Sequence, residues 1–123
     1  MRDRVLVVDD AAHLRDLLTL LLDVEDDFEV VGTAADGAQA LRVAPDLAPD
    51  VVLLDLAMPV MDGMAALPEL RRQLPSARIV IFSGFEHRAL AEQALAAGAD
   101  DYIEKGTSVT HLVQRLRDLR TGT

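Results

Sequence analysis

Short aliphatic runs alternate with stretches of helical period along the whole chain. That alternation restricts it to a parallel α/β sheet more firmly than any other feature. Arg4–Val8, Glu29–Thr33, Val51–Leu54, Arg78–Phe82 and Tyr102–Glu104 read as five strands. Leu14, Leu17, Leu18, Leu21 and Leu22 recur at helical spacing, which predicts a helix over Ala12–Asp23. Asp36-Gly37 opens a helix over Ala38–Ala44, which Pro45 should end or bend. A third helix over Gly63–Gln73 is disturbed by Pro68. His87–Ala97 reads as an alanine-rich helix ended by Gly98. Val109, Leu112, Val113, Leu116 and Leu119 make the apolar stripe of a last helix. Strands that each feed a crossover helix predict a sheet covered on both faces, and right-handed crossovers restrict it to doubly wound orders.

With 123 residues, the chain suits one domain spanning residues 1–123. No internal repeat or linker interrupts it, and Thr121-Gly122-Thr123 reads as a short polar end or the stump of a linker. Only three Phe and one Tyr are present, so the core must be aliphatic. A net charge of −9 argues against direct nucleic-acid binding, which needs a basic patch. The absence of cysteine excludes disulfides and thiol chemistry. No apolar run approaches membrane-spanning length, and Met1-Arg2-Asp3-Arg4 is no signal peptide. The simplest expectation is a cytoplasmic chain with no membrane contact.

The chemistry-bearing residues follow the predicted strands. Asp9-Asp10 follows strand one, Asp55 strand three, Ser83-Gly84 strand four and Lys105 strand five. In an open parallel sheet the carboxyl ends of the strands line one edge, where ligands bind. Three carboxylates and one ammonium would then share a crevice. Such a cluster repels itself unless a cation joins it or one carboxylate is protonated. This outlines a divalent-metal site beside a phosphoryl group. Each residue also has a plainer reading. Asp9-Asp10 could begin a helix, where acids are favoured. Asp55 could end a strand, Ser83 could form a turn, and Lys105 could be a solvated surface lysine. Against the plain reading of Asp55 stands Met58-Pro59-Val60-Met61-Asp62-Gly63, where Pro and Gly impose an unusual path just after the acid. An Asp carboxylate can also attack phosphorus and form an acyl phosphate.

Taken in order, Asp9-Asp10, Asp55 through Gly63, Phe82-Ser83-Gly84 and Gly98 through Lys105 resemble the response-regulator receiver domain of two-component signalling. The resemblance runs from Arg4 to about Leu119. It implies a flavodoxin-like fold of five parallel strands in the order 2-1-3-4-5, with five helices on two faces. It implies Asp55 as phosphoacceptor, supplied by a histidine kinase or phosphotransfer protein. Asp10 and Asp55 would ligate Mg²⁺ with the Ala57 carbonyl, and Asp9 would act mainly through water. Lys105 would neutralise the phosphoryl group. Ser83 and Tyr102 would be the switch pair: phosphorylation should draw the Ser83 hydroxyl to Asp55 and let Tyr102 turn inward. The chain would be a signalling switch that also loses its own phosphoryl group to water, not an enzyme for an outside substrate. Ala57 and Phe85 would border the attacking water and, lacking polar groups, leave the phosphoryl group long-lived.

Ser83 stands where Thr is more frequent in that family, Gly84 where Ala is frequent, and Gly106 where Pro is common. The hydroxyl is kept, and Gly84 should loosen the switch loop. A degenerate receiver that only docks is the first alternative, disfavoured by the complete set of acids, hydroxyl and lysine. A flavodoxin-like cofactor binder needs a Ser/Thr/Gly-rich phosphate cradle, whereas Asp9-Asp10-Ala11 repels phosphate unless a metal is present. An Asp-nucleophile phosphatase would usually have an acid where Ala57 stands. His13, His87 and His111 are scattered and read as surface residues. Arg115, Arg117 and Arg120 read as the solvated face of the last helix, and Asp23–Asp27 as a solvated acidic loop. Arg115 and Arg117, with Asp100, Asp101 and Glu104, suggest a salt-sensitive, phosphorylation-promoted homodimer through the strand-five face.

Overall fold

The computed structural model describes residues 2–120, so the polar end Thr121–Thr123 lies outside the described residues. Five strands, β1 (Asp3–Val8), β2 (Phe28–Ala34), β3 (Val51–Leu54), β4 (Arg78–Ser83) and β5 (Asp101–Glu104), form one parallel sheet in the order β2-β1-β3-β4-β5. The helices are α1 (Ala12–Asp23), α2 (Gly37–Leu47), α3 (Gly63–Gln73), α4 (Ala91–Ala96) and α5 (Val109–Arg120). This is the expected doubly wound order.

The two faces of the sheet make two cores, because successive strand side chains point to opposite sides. Leu6, Val8, Val52, Leu54, Ile79 and Ile81 pack under α2, α3 and α4 with Ala40, Ala44, Leu67, Leu70 and Ala94. Val5, Val7, Val51, Leu53, Val80, Phe82 and Ile103 pack under α1 and α5 with Leu18, Leu22, Leu112, Val113 and Leu116. Strands buried on both faces read as continuous Val/Ile/Leu runs, so their periodicity alone does not separate strand from buried helix.

Asp36 and Asp62 cap α2 and α3, accepting hydrogen bonds from the Gln39 and Ala65 amides at 2.8 Å. The prolines interfere less than the sequence predicts. Pro45 lies inside α2, which runs on to Leu47 and ends at Ala48 with φ 45°. Pro68 lies inside α3. Both rings are exposed, and each removes one backbone hydrogen bond on the side of the helix that water reaches. The alanine-rich helix differs more. Phe85–Leu90 is 3-10, and only Ala91–Ala96 is α-helical. The 3-10 segment buries none of its residues, so no packed face holds it in the wider α geometry.

The charges expected in solvent are mostly paired. Arg117 donates to Asp27 at 2.7 Å and to Glu25 at 3.0 Å. Arg120 reaches Asp27 at 2.9 Å and Asp3 at 2.8 Å. Arg78 also meets Asp3, at 2.7 Å. Both Arg117 and Arg120 lie over the Phe28 ring, 5.9 Å from its centre. The acidic loop and the last helix therefore form a network that ties α5 to the start of the sheet. Arg117 is thus turned away from the strand-five face. Arg115 is closed onto Asp101 at 3.0 Å, Arg88 onto Glu104 at 3.2 Å and Arg71 onto Asp100 at 3.1 Å. The charges from which the sequence suggests a dimer are paired within the chain.

The hydrogen bond from Arg117, helped by the nearby Arg117 and Arg120 charges, holds the Asp27 carboxyl below its usual range against the opposing effect of burial. A carboxylate whose folded pKa is depressed stabilises the fold above its unfolded value of about 3.9. That contribution disappears as pH falls through the lower folded value. Asp27→Asn should therefore lower the urea midpoint at pH 7, and the difference from wild type should shrink steadily below about pH 4. Equal differences at pH 7 and pH 2.5 would contradict this linkage.

Candidate functional site

Register brings the site together. Val8 pairs with Leu54, and Leu54 with Ile81, so Asp9 and Asp55 leave adjacent strands side by side. The Asp55 amide donates to the Val8 carbonyl at 3.0 Å. Ser83 pairs with Glu104, and the Lys105 amide donates to the Ser83 carbonyl at 2.7 Å. Four consecutive strand ends thus deliver acid, acid, hydroxyl and ammonium to one edge.

Asp9 and Asp55 are buried, while Asp10 is exposed. One carboxylate oxygen from each of the three lies within 4.8 Å of the others. Lys105 Nζ bridges the buried pair, 2.7 Å from Asp9 Oδ2 and 3.1 Å from Asp55 Oδ2. Burial alone would lower the Lys105 pKa. The hydrogen bond to Asp9 and the charges of Asp55 and Asp9 outweigh it, and the ammonium is held above its usual value. Asp9 Oδ1 accepts from the Ala11 amide at 2.9 Å. Ala11, not either acid, is the N-cap of α1. The capping reading of Asp9-Asp10 therefore fails, and Asp10 stays available at the rim.

The loop after β3 is shaped by close approach. A Cβ on Gly63 would sit 2.1 Å from the Asp55 carbonyl oxygen, so only glycine lets α3 begin this near the acid. Met61 O accepts from Gly37 N at 2.7 Å, tying the loop to α2. Between them Val60 has φ 68° and is 88% exposed. A β-branched residue in that region is strained by about 1–2 kcal/mol. Ala57 is exposed at the mouth of the site, and its amide points at Asp55 Oδ1 from 3.5 Å.

Ser83 is fully buried, and its hydroxyl lies 2.9 Å from Asp55 Oδ1. The Tyr102 hydroxyl is buried without a hydrogen-bond partner among the described residues. Burial first, then the charges of Glu104, Glu86 and Asp55, raise its pKa. The Ser83 hydroxyl already lies against Asp55, where the sequence reading places it only after phosphorylation. Phe85 is 65% exposed, with Arg88 stacked 5.6 Å from its ring centre. Gly84 has φ −67°, which any residue adopts, so its freedom is not used there.

His13 and His111 are exposed, as expected. His87 is not a bystander: its Nδ1 lies 3.0 Å from Ser83 Oγ. Its spacing of four from Ser83 is the one signal in the sequence, and it tells only if the strand ends at Ser83 and a helical turn follows at once.

Oxygen donors and an excess of negative charge suit a hard divalent cation, so the cluster could hold a metal. No helix of the described residues is long and apolar enough to cross a membrane. The sequence profile described as the response regulator receiver domain matches residues 5–117. A protein-glutamate methylesterase/protein-glutamine glutaminase of Maricaulis maris is 44% identical over 104 residues, covering 83% of this chain and 26% of its own length. The chemotaxis protein CheY of Bacillus subtilis is 41% identical over 105 residues, covering 85% of this chain and 87% of its own. A solved two-component response regulator of the LuxR family from Aurantimonas sp. SI85-9A1 superposes with a TM-score of 0.91 at 32% identity, over 99% of this chain and 87% of that one. The chain spans 26% to 58% of the length of several longer curated relatives. Profile, relatives and fold agree with the edge of acids, hydroxyl and lysine: the chain belongs to the response regulator receiver domain family.

Proposed function

We propose that Asp55 accepts a phosphoryl group from a phosphohistidine on a histidine kinase or phosphotransfer protein, and that the chain works as a cytoplasmic signalling switch. One observation carries this reading. The Asp55 carboxylate holds a hydroxyl on one oxygen and an ammonium on the other, at 2.9 and 3.1 Å. An oxygen of Asp55 attacks phosphorus in line, and the bond from phosphorus to the histidine nitrogen breaks. As charge spreads over the phosphoryl oxygens, Ser83 and Lys105 pass to them from the carboxylate, so the donors are organised in advance. Asp9, Asp10 and Asp55, with the Ala57 carbonyl, would hold Mg²⁺, whose charge offsets that of the phosphoryl oxygens. A phosphorylation-promoted homodimer through the β5 face would meet Arg115 and Asp101 already paired within each copy.

Intact mass after incubation with acetyl phosphate and Mg²⁺ tests the reading. Wild type should gain one phosphoryl group and Asp55→Asn none. An equal gain in both would place the acceptor elsewhere.

The metal assignment has its own check. Mg²⁺ binds only the folded site, so it should raise the melting temperature of wild type. Asp10→Ala relieves part of the repulsion and should abolish most of that rise. Equal gains at millimolar Mg²⁺ would exclude Asp10 as a ligand.

Loss of the phosphoryl group needs water opposite the Asp55 oxygen. Ala57 offers no side-chain hydrogen bond, and the Phe85 ring offers no group to orient water. Orienting and proton-transfer groups contribute about 10²-fold or more to such steps, so self-dephosphorylation should be slow. Ala57→Asn combined with Phe85→Glu should shorten the lifetime, read by loss of phosphoryl mass with time. A double variant that decays at the wild-type rate would remove both residues from the account.

A further inference from the structure

His87 is the one imidazole at the site, and the proposed phosphoryl transfer gives it no task. It sits in the 3-10 segment directly after Ser83-Gly84, with its amide donating to the Gly84 carbonyl at 3.0 Å. Its Nδ1 is 3.0 Å from Ser83 Oγ, and the same Oγ is 2.9 Å from Asp55 Oδ1. A serine hydroxyl has one proton to give, and a carboxylate can only accept. Asp55 is a carboxylate paired with the Lys105 ammonium. The Ser83 proton therefore lies on the bond to Asp55, and Ser83 must accept from His87. That requires a proton on Nδ1. The result is a directed chain, His87 Nδ1–H to Ser83 O–H to Asp55, in which each bond polarises the next.

We propose that His87 is a positioning residue, acting through Ser83. It holds the Ser83 hydroxyl aimed at the phosphoacceptor and, by the same bond, ties the Phe85–Leu90 segment to the state of Asp55. The inference rests on Asp55 being the phosphoacceptor. Without His87 the Ser83 hydroxyl would be free to turn from Asp55. With it, the donor waits in place. The segment buries no residue fully, and besides this bond it is held by Arg88 on Glu104 and by the half-buried Leu90 against the core. When Ser83 shifts to an oxygen of the incoming group, the imidazole must follow or the bond must break. Either way the segment reports occupancy of the site, beside whatever Tyr102 reports. Glu86 Oε1 stands 3.8 Å from the same Nδ1, too far for a hydrogen bond, and does not compete with Ser83.

Side-chain geometry supplies a sharp test on the full chain, with beryllofluoride and Mg²⁺ as the probe of the phosphoryl-like state. An asparagine amide nitrogen can take the place of Nδ1, whereas a glutamine amide reaches toward the place of Nε2. His87→Ala should weaken beryllofluoride binding about tenfold, the usual weight of one hydrogen bond beside a charged group. His87→Asn should recover most of the loss and His87→Gln should not. Nitrogen NMR of the ring should show the Nδ1–H form, with a shift on adding beryllofluoride that vanishes in Ser83→Ala. An Nε2–H ring, or equal binding by wild type and the Ala, Asn and Gln variants, would overturn the proposal. Failure of the underlying reading looks different: wild type would neither gain phosphoryl mass nor bind beryllofluoride, and the role of His87 would fall with it. If wild type gains mass and the His87 variants match it in binding, only the positioning role is lost.

Discussion

Two carboxylates buried side by side are the constraint on which the rest of this structure depends. The side chains of Asp9 and Asp55 are 3% and 6% exposed. Burying one unpaired carboxylate costs several kcal/mol, and a second beside it adds repulsion. The chain tolerates them because Lys105 bridges both, and because amide and hydroxyl donors occupy other oxygens. Lys105 comes from the end of β5, the far edge of the sheet, and must pass the end of β4 to reach them. The strand order is thus as much a requirement of this charge arrangement as a result of chain connectivity. A slip of one residue in β1 or β3 would move Asp9 or Asp55 toward the apolar core.

The same constraint explains how much of the fold and the site is legible in the sequence. Charged residues placed directly after runs such as Val51–Leu54 cannot be accidents of a surface loop, so Asp9, Asp55, Ser83 and Lys105 can be assigned to one edge. The strands and the helix stripes are equally readable, because an aliphatic core leaves period and Gly/Pro punctuation as clear signals. What escapes such reading depends on partners distant in sequence. Arg117 and Asp27 look solvated in isolation, yet they are 90 residues apart and 2.7 Å from each other. Pro45 looks like a helix terminator, yet α2 continues because its exposed side tolerates one lost hydrogen bond. His87 looks like a stray surface histidine until Ser83 is known to end β4 with its hydroxyl turned inward. The 3-10 geometry of Phe85–Leu90 has no sequence signal, since its alanine-rich continuation favours an α-helix and only the lack of packing prevents one.

The corner of the fold built from the 3-10 segment and α4 is held less firmly than the rest. On one side of the sheet α1 and α5 bury Leu18, Leu22, Leu112, Val113 and Leu116. That side is also tied by the network of Arg78, Arg117 and Arg120 with Asp3, Glu25 and Asp27. On the other side α2 and α3 bury Ala40, Ala44, Ala66, Leu67 and Leu70, but α4 buries only Ala94, and the 3-10 segment before it buries nothing. The strained Val60 and the orphaned Tyr102 hydroxyl also lie outside that network. Elements with few buried apolar contacts open and shift at the lowest cost. Under the proposed phosphorylation, a charge arriving at Asp55 would be met by Ser83, whose hydroxyl touches His87 in the loosely packed segment. The energy of those new contacts would then act where the fold resists least. A phosphoryl group confined to one carboxylate would then alter the surface formed by the 3-10 segment, α4 and β5 at the least cost in packing.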